Sequence, residues 1–188
     1  MKKIGIFGGT FNPIHVGHLK MASAARKEYK LSVIYFIPCG VPPHKQKKDL
    51  LPANIRYEMI QKTIQGKKYF KVLDIEIKSK KPNYTVDTIK KLRRKFNSVE
   101  DGHSHPLLYF LIGQDEFEKL HTWNKANELS KLVTFLILPR ITKKTTSRST
   151  LYIPHLKGLK WFLVHTRPIN ISSTEIRKSF KKLEQNSK

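Results

Sequence analysis

Five short, nearly continuous apolar runs punctuate the chain: Ile4 to Phe7, Val33 to Ile37, Leu107 to Ile112, Leu132 to Leu138 and Trp161 to Val164. Strands buried on both faces read this way, whereas a strand with one wet face alternates, so the runs predict a mainly parallel sheet covered by helices. Between them apolar residues recur at helical spacing, as Leu19-Ala22-Ala25-Tyr29, Ile55-Met59-Ile60-Ile64 and Val86-Ile89-Leu92-Phe96, and Ile176-Phe180-Leu183 closes the sequence. A fifth helix fits Lys125 to Lys131, Val72 to Ile77 reads as a further strand of alternating type, and Trp161 and Phe162 are expected in the core. Strand and helix in alternation predict an α/β, doubly wound architecture with helices on both faces, whose ligands bind beyond the carboxyl ends of the strands. No repeat or domain boundary interrupts residues 1–188, which read as one domain; the loop-like stretches are 39–52, 97–106 and 139–158.

Composition changes this picture in one respect. The chain carries 37 Lys and Arg against 14 Asp and Glu, a formal charge of +23, which points to an anionic partner or substrate. Because 29 of the 37 basic residues are Lys and 8 are Arg, the excess is ammonium rather than the guanidinium suited to bidentate readout. Basic residues are spread along nearly the whole sequence, with no aromatic-interleaved stripe, which argues against a nucleic-acid-binding role. The single cysteine, Cys39, forbids an internal disulfide, and no apolar run is long enough to span a bilayer. A cytoplasmic protein without membrane or nucleic-acid partners is expected.

Candidate chemistry begins directly after the first run, at Gly8-Gly9-Thr10-Phe11-Asn12-Pro13-Ile14-His15-Val16-Gly17-His18. A glycine pair lets backbone approach a ligand, and a helix start there favours an anion. Neither a Gly-x-Gly-x-x-Gly nor a Walker lysine motif is present. Two histidines three residues apart would share a helix face and offer N–H donors to phosphate oxygens. A zinc pair is the rival reading, but no further ligands stand at metal-site spacing, so no protein-held metal is expected. Near the other end, Ile171-Ser172-Ser173-Thr174-Glu175-Ile176-Arg177 combines capping-box spacing between Ser172 and Glu175 with three hydroxyls and an arginine, a group suited to a polyphosphate.

The strand, Gly-Gly and His-x-Gly-His segment resembles the signature of the nucleotidylyltransferase superfamily, and the 171–177 segment resembles its triphosphate-binding motif. Between them stand Pro42-Pro43-His44-Lys45, Asn83-Tyr84-Thr85, Gly113-Gln114-Asp115 and Thr122-Trp123. In that order, over about residues 3 to 182, the chain is similar to the bacterial nicotinate-nucleotide adenylyltransferases. The resemblance implies a Rossmann-like fold and adenylyl transfer from ATP to nicotinate mononucleotide, giving nicotinate adenine dinucleotide and pyrophosphate in NAD biosynthesis. It implies ATP contacts at Gly8, Gly9, Thr10, Phe11, His15, His18, Ile171, Ser172, Ser173, Thr174 and Arg177. Nicotinate mononucleotide would be met by Lys45, Tyr84, Thr85, Gly113, Asp115 and Trp123. Catalysis would fall to His15, His18, Lys45 and Arg177, with Mg²⁺ arriving on ATP.

Simpler readings stand beside these roles. Trp123 is either a pyridine-stacking ring or a core aromatic, Thr85 either a substrate contact or a helix cap, and Asp115 either a ribose contact or an acidic residue at a helix start. Asn12 stands where the family often has Asp, keeping a hydrogen bond without a charge. His103 and His105 read as solvated loop residues. Transfer to nicotinamide mononucleotide, to phosphopantetheine, or of a cytidylyl group is the nearest alternative. Oligomeric state is left open, a homo-oligomer being compatible with the sequence.

Overall fold

The runs become strands β1 (Lys3–Gly9), β2 (Val33–Pro38), β3 (Phe70–Val72), β4 (Leu107–Gly113), β5 (Thr134–Leu138) and β6 (Lys160–Leu163). The helices are α1 (Val16–Tyr29), α2 (Ala53–Ile64), α3 (Thr85–Asn97), a short α4 (Gln114–Phe117), α5 (Ala126–Leu132) and α6 (Ser173–Asn186). This is a computed structural model, and it describes residues 1–42, 50–79, 81–97, 105–139, 151–166 and 171–186. One six-stranded sheet has the order β3-β2-β1-β4-β5-β6, and each neighbouring pair is parallel. That order reverses between β1 and β4, the switch point at which doubly wound folds open a crevice beyond the strand ends.

Alternation along each strand feeds two cores. Ile4, Ile6, Val33, Ile37, Phe110 and Ile112 face the layer of α3 and α5, where Val86, Ile89, Leu92 and Leu129 are buried. Phe7, Ile34, Phe36, Leu111 and Leu136 face the opposite layer with Ala22 and Ala25 of α1 and Ile60 and Ile64 of α2. Both faces are therefore dry, the physical reason the strands read as continuous apolar runs. Each large side chain so buried contributes about 2 kcal/mol of transfer free energy.

Three expectations need correction. The strand expected over 72–77 is β3, which covers only Phe70–Val72, and the chain then turns, with Ile77 N–H donating to the Asp74 carbonyl and Ser79 N–H to that of Glu76. Leu132 ends α5 and Val133 caps it, so β5 starts only at Thr134. Phe162 is 51 % exposed rather than in the core, because β6 is an edge strand; Trp161 is only partly buried, beside Phe117. Helix α1 starts at Val16, so His15 and His18 stand at its first turn as their spacing requires. His105 is exposed, as a solvated loop residue should be, while His103 lies outside the described residues.

The turn after β3 carries an unusual buried group. Glu76 accepts a 2.6 Å hydrogen bond from the Thr88 hydroxyl of α3. Burial pushes its carboxyl above the usual carboxylate range, against the opposing pull of hydrogen bonds with Thr88 and Cys39. A raised folded-state pKa makes this group's contribution to stability greatest at acid pH and erodes it as pH rises through the folded value. Glu76→Gln, which keeps an acceptor for Thr88 but cannot ionise, should match the wild type near pH 4. Its advantage should grow as pH is raised toward 8, a trend that thermal melts at a series of pH values will read.

Candidate active site

The crevice at the switch point is built first by the turn leaving β1. Cys39 N–H bonds the Gly9 carbonyl at 2.9 Å, so the ends of β1 and β2 leave the sheet side by side. Phe11 adopts a left-handed backbone, φ 46°, and is nonetheless buried, its ring meeting Phe7, Phe36 and His18. A non-glycine residue at positive φ costs of order 1 kcal/mol or more, so the packing around Phe11 overdetermines this turn. It delivers His15 as the residue preceding α1 and His18 within the first helical turn.

The two histidines come together as their spacing requires. Their ring centroids are 3.8 Å apart, and His18 is held against Phe7 and Phe11 at 5.9 and 5.1 Å. His15 N–H donates to His18 Nδ1 at 3.2 Å. A backbone amide can only donate, so Nδ1 is the acceptor nitrogen and the ring proton of neutral His18 resides on Nε2. His18 thereby presents an N–H donor at the start of a helix, where dipole and unpaired amides favour an anion.

The distant 171–177 segment closes on the same turn. The Arg177 guanidinium donates to the Asn12 carbonyl at 2.6 Å and the Ser173 hydroxyl to the Pro13 carbonyl at 2.9 Å. A methyl group on Gly17 would come within 2.9 Å of His15 Nδ1 and 3.1 Å of Ile171 Cγ2, so glycine leaves the His15 ring and Ile171 in place here. The capping box is present: Glu175 N–H donates to Ser172 Oγ, and Ser172 N–H and hydroxyl donate to Glu175 Oε2. The Ser172 and Ser173 hydroxyls are thus engaged within the protein, next to the Thr174 hydroxyl and Arg177 at the start of α6. Arg177 also reaches Thr174 Oγ1, at 3.4 Å.

A second group of segments lies at the ends of β2 and β4. Asn83 ties the stretch before α3 to the loop after β2: its Oδ1 accepts from Val41 N–H at 3.3 Å while its own N–H bonds the Val41 carbonyl. Tyr84, partly exposed, supplies the carbonyl that accepts from the Asp87 and Thr88 amides, so the helix cap is Tyr84, and Thr85 is the first helical residue. After β4, a methyl on Gly113 would lie 2.7 Å from Asp115 Oδ1, so glycine lets that carboxylate fold back over the strand end. Trp123 follows a 3₁₀ turn (Leu120–Thr122); it is half-buried, edge-on to Phe110 at 6.1 Å, with its remainder at the surface. Core packing and a ligand-facing edge are both compatible with that position. Pro43, His44 and Lys45 lie outside the described residues. Among the described residues no group of three or more His, Cys, Asp or Glu is placed to hold a metal ion.

Sequence reasoning missed Arg56. The buried stripe of α2 is Arg56-Ile60-Ile64, whereas Ile55 and Met59, which the apolar spacing places inside, are each 37 % exposed. Arg56 is 0 % exposed. Its Nε donates to the Leu51 carbonyl at 2.9 Å, Nη1 to Thr10 at 2.7 Å, and Nη2 to Cys39 at 2.7 Å and Gly40 at 3.3 Å. Burial pulls this guanidinium below its ordinary value, and carbonyl dipoles surround it. The available signal was an i, i+4, i+8 register in which the first member is charged. Asn12 reinforces the same junction, its Oδ1 accepting from Leu51 N–H at 3.0 Å.

Residues 6–179 match the model of the cytidylyltransferase-like family. The chain is 39 % identical, over 93 % of its own length and 83 % of the other, to the "probable nicotinate-nucleotide adenylyltransferase" of Dehalococcoides mccartyi. It is 35 % identical to a protein of the same name from Desulfotalea psychrophila, over 97 % and 90 % of the two chains. Among solved structures, the nicotinic acid mononucleotide adenylyltransferase of Plasmodium falciparum, complexed with NaAD, superposes with a TM-score of 0.71 at 21 % identity, covering 95 % of this chain and 83 % of the other. That likeness is one of fold.

Proposed function

The chain belongs to the cytidylyltransferase-like family and, within it, to the nicotinate-nucleotide adenylyltransferases, and on that premise we propose how its residues carry out the transfer. It joins the adenylyl group of ATP to nicotinate mononucleotide, giving nicotinate adenine dinucleotide and pyrophosphate. The observation that carries the assignment of roles is the closure of the 171–177 segment onto the His15–His18 turn, through Arg177 and Ser173.

The attacking group is the phosphate of nicotinate mononucleotide, and the electrophile is the α-phosphorus of ATP. A phosphate monoester has its second pKa near about 6 and is already largely dianionic at pH 7, so the site has no need of a strong base. Its work is positioning and stabilisation of the charge that gathers on the equatorial oxygens and on departing pyrophosphate. His18 Nε2–H donates to a reacting phosphate oxygen, with His15 beside it. The first-turn amides of α6, Thr174 and Arg177 hold the leaving pyrophosphate, and Lys45 neutralises charge between the substrates. Gly8, Gly9, Thr10 and Phe11 form the floor beneath ATP. Tyr84, Thr85, Gly113, Asp115 and Trp123 receive the mononucleotide, Trp123 against the pyridine and Asp115 toward ribose hydroxyls.

ATP enters as its Mg²⁺ complex, the ion held mainly by phosphates and water. The protein works in the cytoplasm; no helix among the described residues is long and apolar enough to cross a membrane. The +23 charge assists capture of two anionic substrates.

Pyrophosphate release from ATP, measured against nicotinate mononucleotide, nicotinamide mononucleotide and phosphopantetheine in parallel, tests the proposal. The acid mononucleotide should give by far the largest kcat/KM. Preference for phosphopantetheine, or release independent of any acceptor, would contradict it.

A further inference from the structure

Arg56 stands outside every role assigned above, yet its side chain bonds both halves of the crevice. Its Nη1 holds the Thr10 carbonyl, in the turn beneath the phosphates, while Nη2 holds the carbonyls of Cys39 and Gly40, just after β2. Its Nε holds the Leu51 carbonyl, shortly before α2. The turn after β1, the residues just after β2 and the residue shortly before α2 thus converge on one planar, fully buried fork. Carbonyl oxygens repel one another, and the fork offsets that repulsion at a junction also held by the Cys39–Gly9 and Leu51–Asn12 hydrogen bonds.

We infer that Arg56 is a positioning residue for adenylyl transfer, fixing the separation between the ATP-binding turn and the loop on the mononucleotide side. The inference rests on the proposed reaction and deepens it. Each substrate binds mainly to its own half, so loosening the fork leaves each binding surface intact but changes the distance between attacking oxygen and α-phosphorus. In-line displacement is steeply sensitive to that distance, and an error of about 1 Å can cost on the order of a hundredfold in rate. A lysine keeps the charge and most of the stem but offers donors from a single point, and cannot span three segments.

The test compares steady-state kinetics of wild type, Arg56→Lys and Arg56→Gln at 20 °C with those of Ile60→Ala. Ile60 is buried one helical turn further along α2, so its truncation loosens the same helix against the sheet. The expected result is a kcat reduced about a hundredfold in both Arg56 variants, with KM for ATP and for nicotinate mononucleotide each within about threefold of wild type. Ile60→Ala should melt at lower temperature yet keep kcat within about twofold. Arg56 variants whose kcat merely follows that of Ile60→Ala, or whose defect lies in KM for one substrate, would overturn the positioning role and leave the reaction standing. Absence of turnover in the wild type would overturn the reaction and this inference together.

Discussion

Replacing His18 with alanine lowers kcat for adenylyl transfer by about a hundredfold or more and leaves the protein folded. The magnitude is that of one preorganised donor removed from a developing charge. The His15 amide fixes which nitrogen that donor is, since its hydrogen bond to Nδ1 leaves the proton on Nε2. The packing of the ring against Phe7, Phe11 and His15 fixes where it points. Alanine at this position loses a partner for one helix-start amide, a cost of about 1 kcal/mol that a domain of this size tolerates. Steady-state kinetics beside a far-ultraviolet spectrum separate the two effects: kcat near wild type in a folded variant would remove His18 from the mechanism.

The second large effect concerns a residue with no chemistry of its own. A methyl group on Gly40 would land on the Glu76 carbonyl oxygen, far inside van der Waals contact, and 2.9 Å from Asn83 Oδ1. Because the obstacle is backbone rather than a flexible side-chain end, the loop after β2 must move bodily. Gly40→Ala should therefore lose about 3 kcal/mol or more, roughly 6 to 12 °C in melting temperature at this chain length. Moving that loop also displaces the Arg56 acceptors Cys39 and Gly40 and the Val41–Asn83 pair, so the folded fraction should turn over at least about tenfold more slowly. Differential scanning of the variant with turnover measured well below its midpoint reads both. A variant that melts and turns over as wild type would mean the loop is free to shift.

Much of this arrangement is local in sequence and was legible there. The Gly8-Gly9 turn, the His15–His18 pair and the Ser172–Glu175 capping box each sit within a few residues, where spacing alone fixes geometry. The doubly wound sheet was legible because burial on both faces leaves strands apolar throughout. What escaped is long-range. In the run Ile55 to Ile64 the register Arg56-Ile60-Ile64 competes with the more apolar Ile55-Met59 spacing, and the charge hides it, because a charged side chain enters a core only when carbonyls surround it. The alternation after Val72 mimicked a strand because Leu73 and Ile75 pack against the core from a turn. The exposure of Phe162 follows from its strand lying at the sheet edge, a property of topology rather than of the segment. That the Ser172 and Ser173 hydroxyls bond Glu175 and Pro13 is visible only in the folded chain, the second partner being distant in sequence.

The central claim is that this site transfers the adenylyl group itself, and the fate of the α-phosphorus decides it. With ATP labelled at that phosphorus and unlabelled nicotinate mononucleotide, label should pass into a dinucleotide in step with pyrophosphate release and in strict dependence on the mononucleotide. Label recovered instead in AMP or ADP, with no dinucleotide formed, would contradict it.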